Sequence, residues 1–404
     1  MESLRPRRST APARRRLGLG LAVTAAFVSA CGPQPSVSEL PGGPTPGPTA
    51  SATPSTPPSP VVPNLLPGMP TPLRADDAYA ATRQGFAPSV QGFPEMIYVP
   101  NGRSNTVTVV DPKSGQVVRS FPAGRVPQHV VPSYDLGTLW VNSSASNTMT
   151  KIDPATGQTI ATIPVEDPYN LYFTPDGKNA VVMAERLRRI DFRDPQTMAL
   201  RTSVAAPCVG VNHADFSRDG RYLVVSCEFS GELLKVDTLA REVTQKLQLP
   251  RGSKPQDVRL SPDGAFFYVA DLNRDGVVVL DSKTFTTTGF IPTGAGAHGL
   301  YISRDSRDLY VTNRDAGSVS VLDLRTRKVR ATYRLPNGAS PDMGNLNGDG
   351  TILWLSSRYG SQIYGLDVTT GQTVATVQVG SGPHGLTVYP QPGRYSLGHT
   401  GILR

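Results

Sequence analysis

Between residues 96 and 390 the chain is a succession of short runs in which apolar and polar residues alternate, as in Ser318-Val319-Ser320-Val321-Leu322-Asp323. A period of two puts one side of an extended chain into a core and the other towards a neighbour or solvent, so each run reads as a β-strand. The runs are rich in Val, Ile, Thr and Tyr. Between them stand turn-forming clusters such as Thr174-Pro175-Asp176-Gly177, Ser261-Pro262-Asp263-Gly264 and Asp153-Pro154-Ala155-Thr156-Gly157. Asp and Ser side chains hydrogen-bond the turn backbone, proline presets φ and glycine accepts a positive φ, so these clusters join neighbouring strands as hairpins.

The pattern recurs about every 40 residues, a spacing that in an all-β chain signals a propeller. The clearest unit opens with Gly382-Pro383-His384-Gly385-Leu386-Thr387-Val388, and its counterparts begin at Pro127, Pro168, Val211, Pro255, Ala297 and Pro341. Each leads through a turn into a second apolar run of the type Leu309-Tyr310-Val311-Thr312-Asn313. An alternating third strand follows, then a second turn and a fourth strand like Thr373-Val374-Ala375-Thr376-Val377. Four antiparallel strands per repeat make one blade. The first copy, 97–122, lacks a first strand, and the last, 383–390, supplies one and nothing more. Pairing the two completes a blade, closes the ring and removes the exposed edges. The expected fold is therefore all-β, a seven-bladed β-propeller of four-stranded antiparallel blades whose N- and C-terminal segments share one blade. The blade from Leu171 to Arg201 is expected to be irregular, because Arg186-Leu187-Arg188-Arg189 interrupts its alternation. Over roughly residues 96–390 these repeats resemble the YVTN-repeat, YncE-like β-propeller family.

The segments outside the repeats change the picture. Six arginines between Arg5 and Arg16 precede an apolar stretch, Leu17 to Val28, which has signal-peptide length and is too short to span a bilayer. Val28-Ser29-Ala30-Cys31 then resembles a bacterial lipobox, with the Cys31 thiol as the lipidated atom. Residues 1–30 thus read as a lipoprotein signal peptide and residues 31–75 as a lipidated cysteine followed by a Pro/Ser/Thr-rich disordered linker. Residues 76–95 form a lead-in, 96–390 the propeller and 391–404 a polar tail that either crosses an end of the channel or lies as ordered surface. The expected location is the extracytoplasmic side of a bacterial membrane, tethered through the lipid on Cys31. Of the formal charge of +8, residues 1–30 hold +5, leaving about +3 for the rest. So weak a charge gives no reason to expect a nucleic-acid partner. The chain is expected to be a monomer.

Strand direction decides which side chains could do chemistry together. First strands all start on one face, here called the mouth, and second strands return to it, so the Pro-His-Gly entries and the loops after second strands share that face. Loops carried by a rigid scaffold commonly bind ligands. The ligand-face candidates are His129, Asn170, Glu185, His213, Glu228, Asp257, Asp271, Arg314 and Arg358. His298, Asp342 and His384 hold one repeat position in three consecutive blades, and two imidazoles with a carboxylate suit a divalent metal. His129 and His213 come one residue later and, by strand alternation, should point elsewhere. Pro-His-Gly also belongs to the repeat itself, which favours hydrogen-bonded repeat structure as the plainer role of its histidine. Cys208 enters a blade and Cys227 ends its second strand, and folding that hairpin about Arg218-Asp219 brings the two together as a disulfide pair in an oxidising compartment.

There is no Cys-x-x-Cys-His, His-Glu-x-x-His, Gly-x-Ser-x-Gly or P-loop pattern. The reading that follows is a binding or interaction scaffold, presenting its mouth face to a protein or small molecule. Two alternatives stay open. One is a propeller enzyme, a lactonase-like hydrolase or a lyase assisted by a metal. The other is a redox role, implied by the similarity of such repeats to the propellers of d1-type haem and quinoprotein dehydrogenase subunits.

Overall fold

The turn chemistry shapes each blade. In the computed structural model, which describes residues 62–404, Ser261 Oγ donates to Asp263 Oδ1 at 2.6 Å, and the same oxygen accepts the Ala265 N–H at 3.0 Å. Gly264 completes that turn with φ of 74°, a conformation a β-carbon disfavours. The turn sends Pro255–Leu260 back as Phe266–Asp271, followed by Gly276–Asp281 and Thr287–Pro292, all antiparallel. Seven four-stranded sheets of this kind make the ring. It closes as the repeats require: Met96–Asn101 pairs with Thr387–Tyr389 in the register Met96↔Tyr389, Ile97↔Val388, Tyr98↔Thr387.

The blade expected to be irregular is complete, with strands Pro168–Phe173, Ala180–Ala184, Arg189–Arg193 and Leu200–Ala205. Arg186 to Arg188 is its hairpin turn, not a broken strand. The Asp167 carboxylate accepts the N–H groups of Arg186 and Leu187, and Arg188 takes a positive φ of 50°. The charged run is thus the turn from second to third strand, while Thr174-Pro175-Asp176-Gly177 still turns the first strand into the second.

The three inner strands of each blade are buried and the outermost is not. In Lys328–Arg334 half-buried residues alternate with exposed ones. The core lies between blades: Val224 and Leu233 pack against Val258, Leu260, Phe267 and Val269 of the next sheet, and Trp140 against Leu171, Phe173 and Val182.

The face opposite the mouth is covered. Leu66 N–H donates to Asp219 O and Ala78 N–H to Pro262 O, both at 2.8 Å, and Glu95 accepts the Gly348 N–H at 3.1 Å. Each partner lies in a turn after a first strand. Residues 62–75, expected as the end of a disordered linker, therefore belong to this cover, with Leu66 buried as their anchor. The tail crosses the same face. Phe173 N–H donates to Leu397 O at 3.0 Å, Ile402 and Leu403 are fully buried, and Arg404 reaches Asp215 at 3.1 Å. Cys31 and the signal segment lie outside the described residues. No helix among the described residues is long and apolar enough to cross a membrane.

Candidate functional site

Every first strand carries one extra residue near its start. Pro127 pairs with Ser143 and His129 with Asn142; Ala297 pairs with Asn313 and Leu300 with Val311. Such a bulge breaks strict alternation, so two consecutive side chains turn into the channel. The channel is thereby lined in two tiers. The upper tier, at the mouth, includes Tyr169, Asn212, His298, Asp342 and His384; the lower, one residue deeper, includes His129, Asn170, His213 and Asp257.

All five histidines of the chain converge there, none more than 2% exposed. Ring centroids of His129 lie 4.7 Å from His384, 6.1 Å from His213 and 4.1 Å from His399, and those of His213 and His298 are 6.0 Å apart. His129 and His213, expected to point away from the others, join them because of the bulge. His399 was not singled out by the sequence. It belongs to no repeat and arrives from the tail, beneath the lower tier. Burial, followed by nearby positive groups, keeps all five imidazoles below their ordinary pKa, His213 at about 3. They are neutral.

His298, Asp342 and His384 are neighbours, with His298 Nδ1 and His384 Nε2 each 3.5 Å from an Asp342 oxygen. The Asp342 carboxylate is nevertheless engaged by arginine. Arg314 donates from Nε at 2.8 Å and from Nη2 to the same oxygen, and Arg358 Nε stands 3.7 Å from the other. This arrangement reads first as an ion-paired cluster, since a cation at this carboxylate would meet two guanidinium groups.

Across the mouth lies an acidic side. Asn212 Nδ2 donates to Glu228 at 2.7 Å and to Glu185 at 3.3 Å, and Lys254 reaches Glu228 at 3.0 Å. Burial, then the Glu228 charge, pushes Glu185 up to about 7. The Tyr169 ring meets those of His129 and His213 edge-on, centroids 5.5 and 6.1 Å apart, with its phenol pushed up by burial and these two carboxylates.

The other ligand-face candidates are committed elsewhere. Asn170 donates to Tyr172 Oη and Asn212 O and accepts the Leu171 N–H. Asp271 accepts the Lys254 N–H at 2.8 Å. Asp257 Oδ2 accepts the Leu300 N–H at 3.0 Å, its carboxyl is pushed up to about 6 by burial, and its other oxygen lies 3.9 Å from His399. Cys208 and Cys227 are joined in a disulfide, Cα atoms 6.0 Å apart, with Val211 opposite Cys227 in the same hairpin.

A family model described as YncE-like β-propeller matches residues 71–393. The chain belongs to that family. A relative from Salmonella typhi, described as uncharacterized protein YncE, is 30% identical over 31% of this chain and 36% of its own length, so the match spans about a third of that relative. Among solved structures, a putative 6-phosphogluconolactonase from Bacteroides uniformis superimposes with a TM-score of 0.58, covering 73% of this chain and 99% of its own at 16% identity. The dihydro-heme d1 dehydrogenase NirN does so with a TM-score of 0.56, covering 72% and 74% at 15% identity. At such identities the likeness is one of fold, and a shared propeller carries no shared activity.

Proposed function

We propose that this YncE-like propeller is an exported, lipid-anchored binding protein that takes a polar partner at the channel mouth. One observation carries the reading: the mouth is sorted by charge above a floor sealed by the chain's own tail. Glu185 and Glu228 stand on one side, Arg314 and Arg358 on the other, each on the loop after a second strand. Arg358 keeps 32% of its side chain exposed, and Lys254 the same, so both reach solvent at the mouth while still paired with Asp342 and Glu228. A rim with both signs of charge suits a molecule carrying both, such as an amino acid or short peptide, with aromatic contact from Tyr169. The lipobox-like run ending at Cys31 and the Cys208–Cys227 bridge support export, since disulfides persist in oxidising compartments.

The test is thermal stabilisation by a panel of amino acids, dipeptides and dicarboxylates, since a ligand bound only by the folded state raises the melting temperature. Stabilisation by a zwitterionic member, lost in Arg358→Ala and in Glu228→Gln, is expected. Binding untouched by both substitutions would move the site off the mouth.

One observation favours a second reading. Glu185 at about 7 beside Glu228 is the kind of carboxyl pair in which one member stays protonated to serve as a general acid. Lactone hydrolysis that disappears in Glu185→Gln, with folding intact, would replace the binding reading by the enzymatic one.

A further inference from the structure

We propose that His129, His213 and His399 form a metal site at the floor of the channel, selective for a borderline divalent cation of the zinc and copper class. One nitrogen from each ring can be chosen so that the three lie within 4.8 Å of one another. Some point therefore lies within about 2.8 Å of all three atoms, against about 2.0–2.1 Å for a zinc–imidazole bond, so the rings need close by less than an ångström on binding. Imidazole donors select zinc, copper or nickel over magnesium and calcium, which prefer oxygen.

The nitrogens themselves point to a ligand. Both ring nitrogens of His129, Nε2 of His213 and Nε2 of His399 are buried without a hydrogen-bond partner. Leaving a buried polar atom unpaired costs about 1–3 kcal/mol, and an unpaired nitrogen on all three rings of one cluster is hard to account for as repeat structure. His213 is also oriented as metal ligands are. Its Nδ1 lies 2.9 Å from Asn212 Oδ1, and the Asn212 amide cannot flip, because its Nδ2 is held by Glu185 and Glu228 and its Oδ1 also accepts from Ser226 Oγ. Nδ1 of His213 therefore carries the proton and Nε2 presents its lone pair. A Cβ at residue 385 would overlap the His129 ring, so the glycine there makes the room in which that ring turns towards the other two.

The charges around the site are mixed. Asp257, with one unpartnered oxygen 3.9 Å from His399, offsets part of the cation's charge, while Arg259, Arg314 and Arg358 oppose it. Three neutral ligands and one nearby carboxylate leave a coordination position open, as catalytic and transport sites do rather than closed structural ones. His399 comes from the tail and the other two from the ring, so the bound metal also fastens the floor in place. This inference stands apart from the identity of any ligand at the mouth.

Tag-free chain, stripped with chelator, is titrated with Co2+ and Zn2+. The expected result is one ion per chain, a visible Co2+ band displaced by Zn2+, and a melting temperature raised by either ion. His399→Ala, which alters only the tail, and His129→Gln should each lower the affinity at least tenfold, while His384→Gln leaves it within about threefold. The wild-type cobalt spectrum keeps the test decisive if a variant fails to fold. No band, no bound ion and no thermal shift in the wild type would overturn the proposal. Loss in His384→Gln with retention in His399→Ala would also overturn it, by moving the metal to the Asp342 cluster.

Discussion

Replacing Arg404 with Met should destabilise the propeller by about 3 kcal/mol although Arg404 is the last residue of the chain and lies in no strand. Its side chain is 6% exposed, its Nη2 lies 3.1 Å from Asp215 Oδ1, and its guanidinium stacks 4.4 Å from the centre of the Tyr79 ring. Asp215 is fully buried. Methionine keeps the apolar stem on Tyr79 and removes only the charge, so the loss measures an uncompensated buried carboxylate, about 3–5 kcal/mol in general. The lower end applies here, because Asp215 also accepts the N–H groups of Phe216 at 2.7 Å and Leu260 at 2.8 Å. With an unfolding entropy of about 2.1 cal/mol/K per residue over residues 62–404, 3 kcal/mol corresponds to a melting temperature about 4 °C lower. Calorimetry on wild type, Arg404→Met, Asp215→Asn and the double variant checks this, and the double variant should lose less than the two single losses added. A melting temperature for Arg404→Met within 1 °C of wild type would show that the tail's last residue does not hold the floor.

Reducing the Cys208–Cys227 bridge, or replacing both cysteines by Ala, frees a loop with a sequence separation of 19, for which chain entropy gives about 3 kcal/mol; scanning calorimetry with and without reductant should show a drop of several degrees. Glu185, raised from 4.5 to about 7, contributes stability that is full below its unfolded pKa and lost as pH rises through 7, so Glu185→Gln should flatten the urea midpoint between about pH 4.5 and 7. His213, lowered from 6.5 to about 3, acts in the opposite sense: its contribution is full above pH 6.5 and lost towards pH 3, so His213→Gln should resist acid relative to wild type in the same urea series. Gly385→Ala should cost about 1–3 kcal/mol in a melting experiment through overlap with His129. Cys31→Ala should release the protein from the membrane fraction or block its processing, and a processed, membrane-bound variant would refute the lipid anchor.

The blades were legible because their signals are local and repeated. Alternation sets which side of a strand is buried, Pro-Asp-Gly turns set where it reverses, and a half repeat at each end requires the closure seen between Met96–Asn101 and Thr387–Tyr389. The mouth was legible for the same reason, since strand direction alone places Glu185, Glu228, Arg314 and Arg358 on one face. Two features of the channel escaped, each for a physical cause. Strand alternation separates His129 and His213 from His298 and His384 only if the strands are regular, and the bulge after each first residue is not written in any local motif. His399 has no repeat counterpart. Its only signs were a histidine beyond the closing strand and the glycines around it, of which Gly398, at φ of 118°, lets the tail pass against Leu171 and Tyr172.

These two misses are connected. A regular first strand would place one residue per blade in the channel, and seven such residues would leave the axis below them to solvent or to apolar filling. The bulge puts a second residue from each blade on the axis, and in this chain that lower tier carries His129, Asn170, His213 and Asp257 on four successive blades. A tier so polar, buried at 0–1% exposure, is costly unless something satisfies it. Main-chain groups satisfy the Asn170 amide and one oxygen of Asp257. The rings of His129 and His213, with nitrogens left unpaired, pack against the tail's own histidine, which gives them no hydrogen bond. An apolar residue at 399 would fill the same space and leave fewer orphaned atoms, so the choice of histidine there is what a ligand at the floor accounts for and packing alone does not.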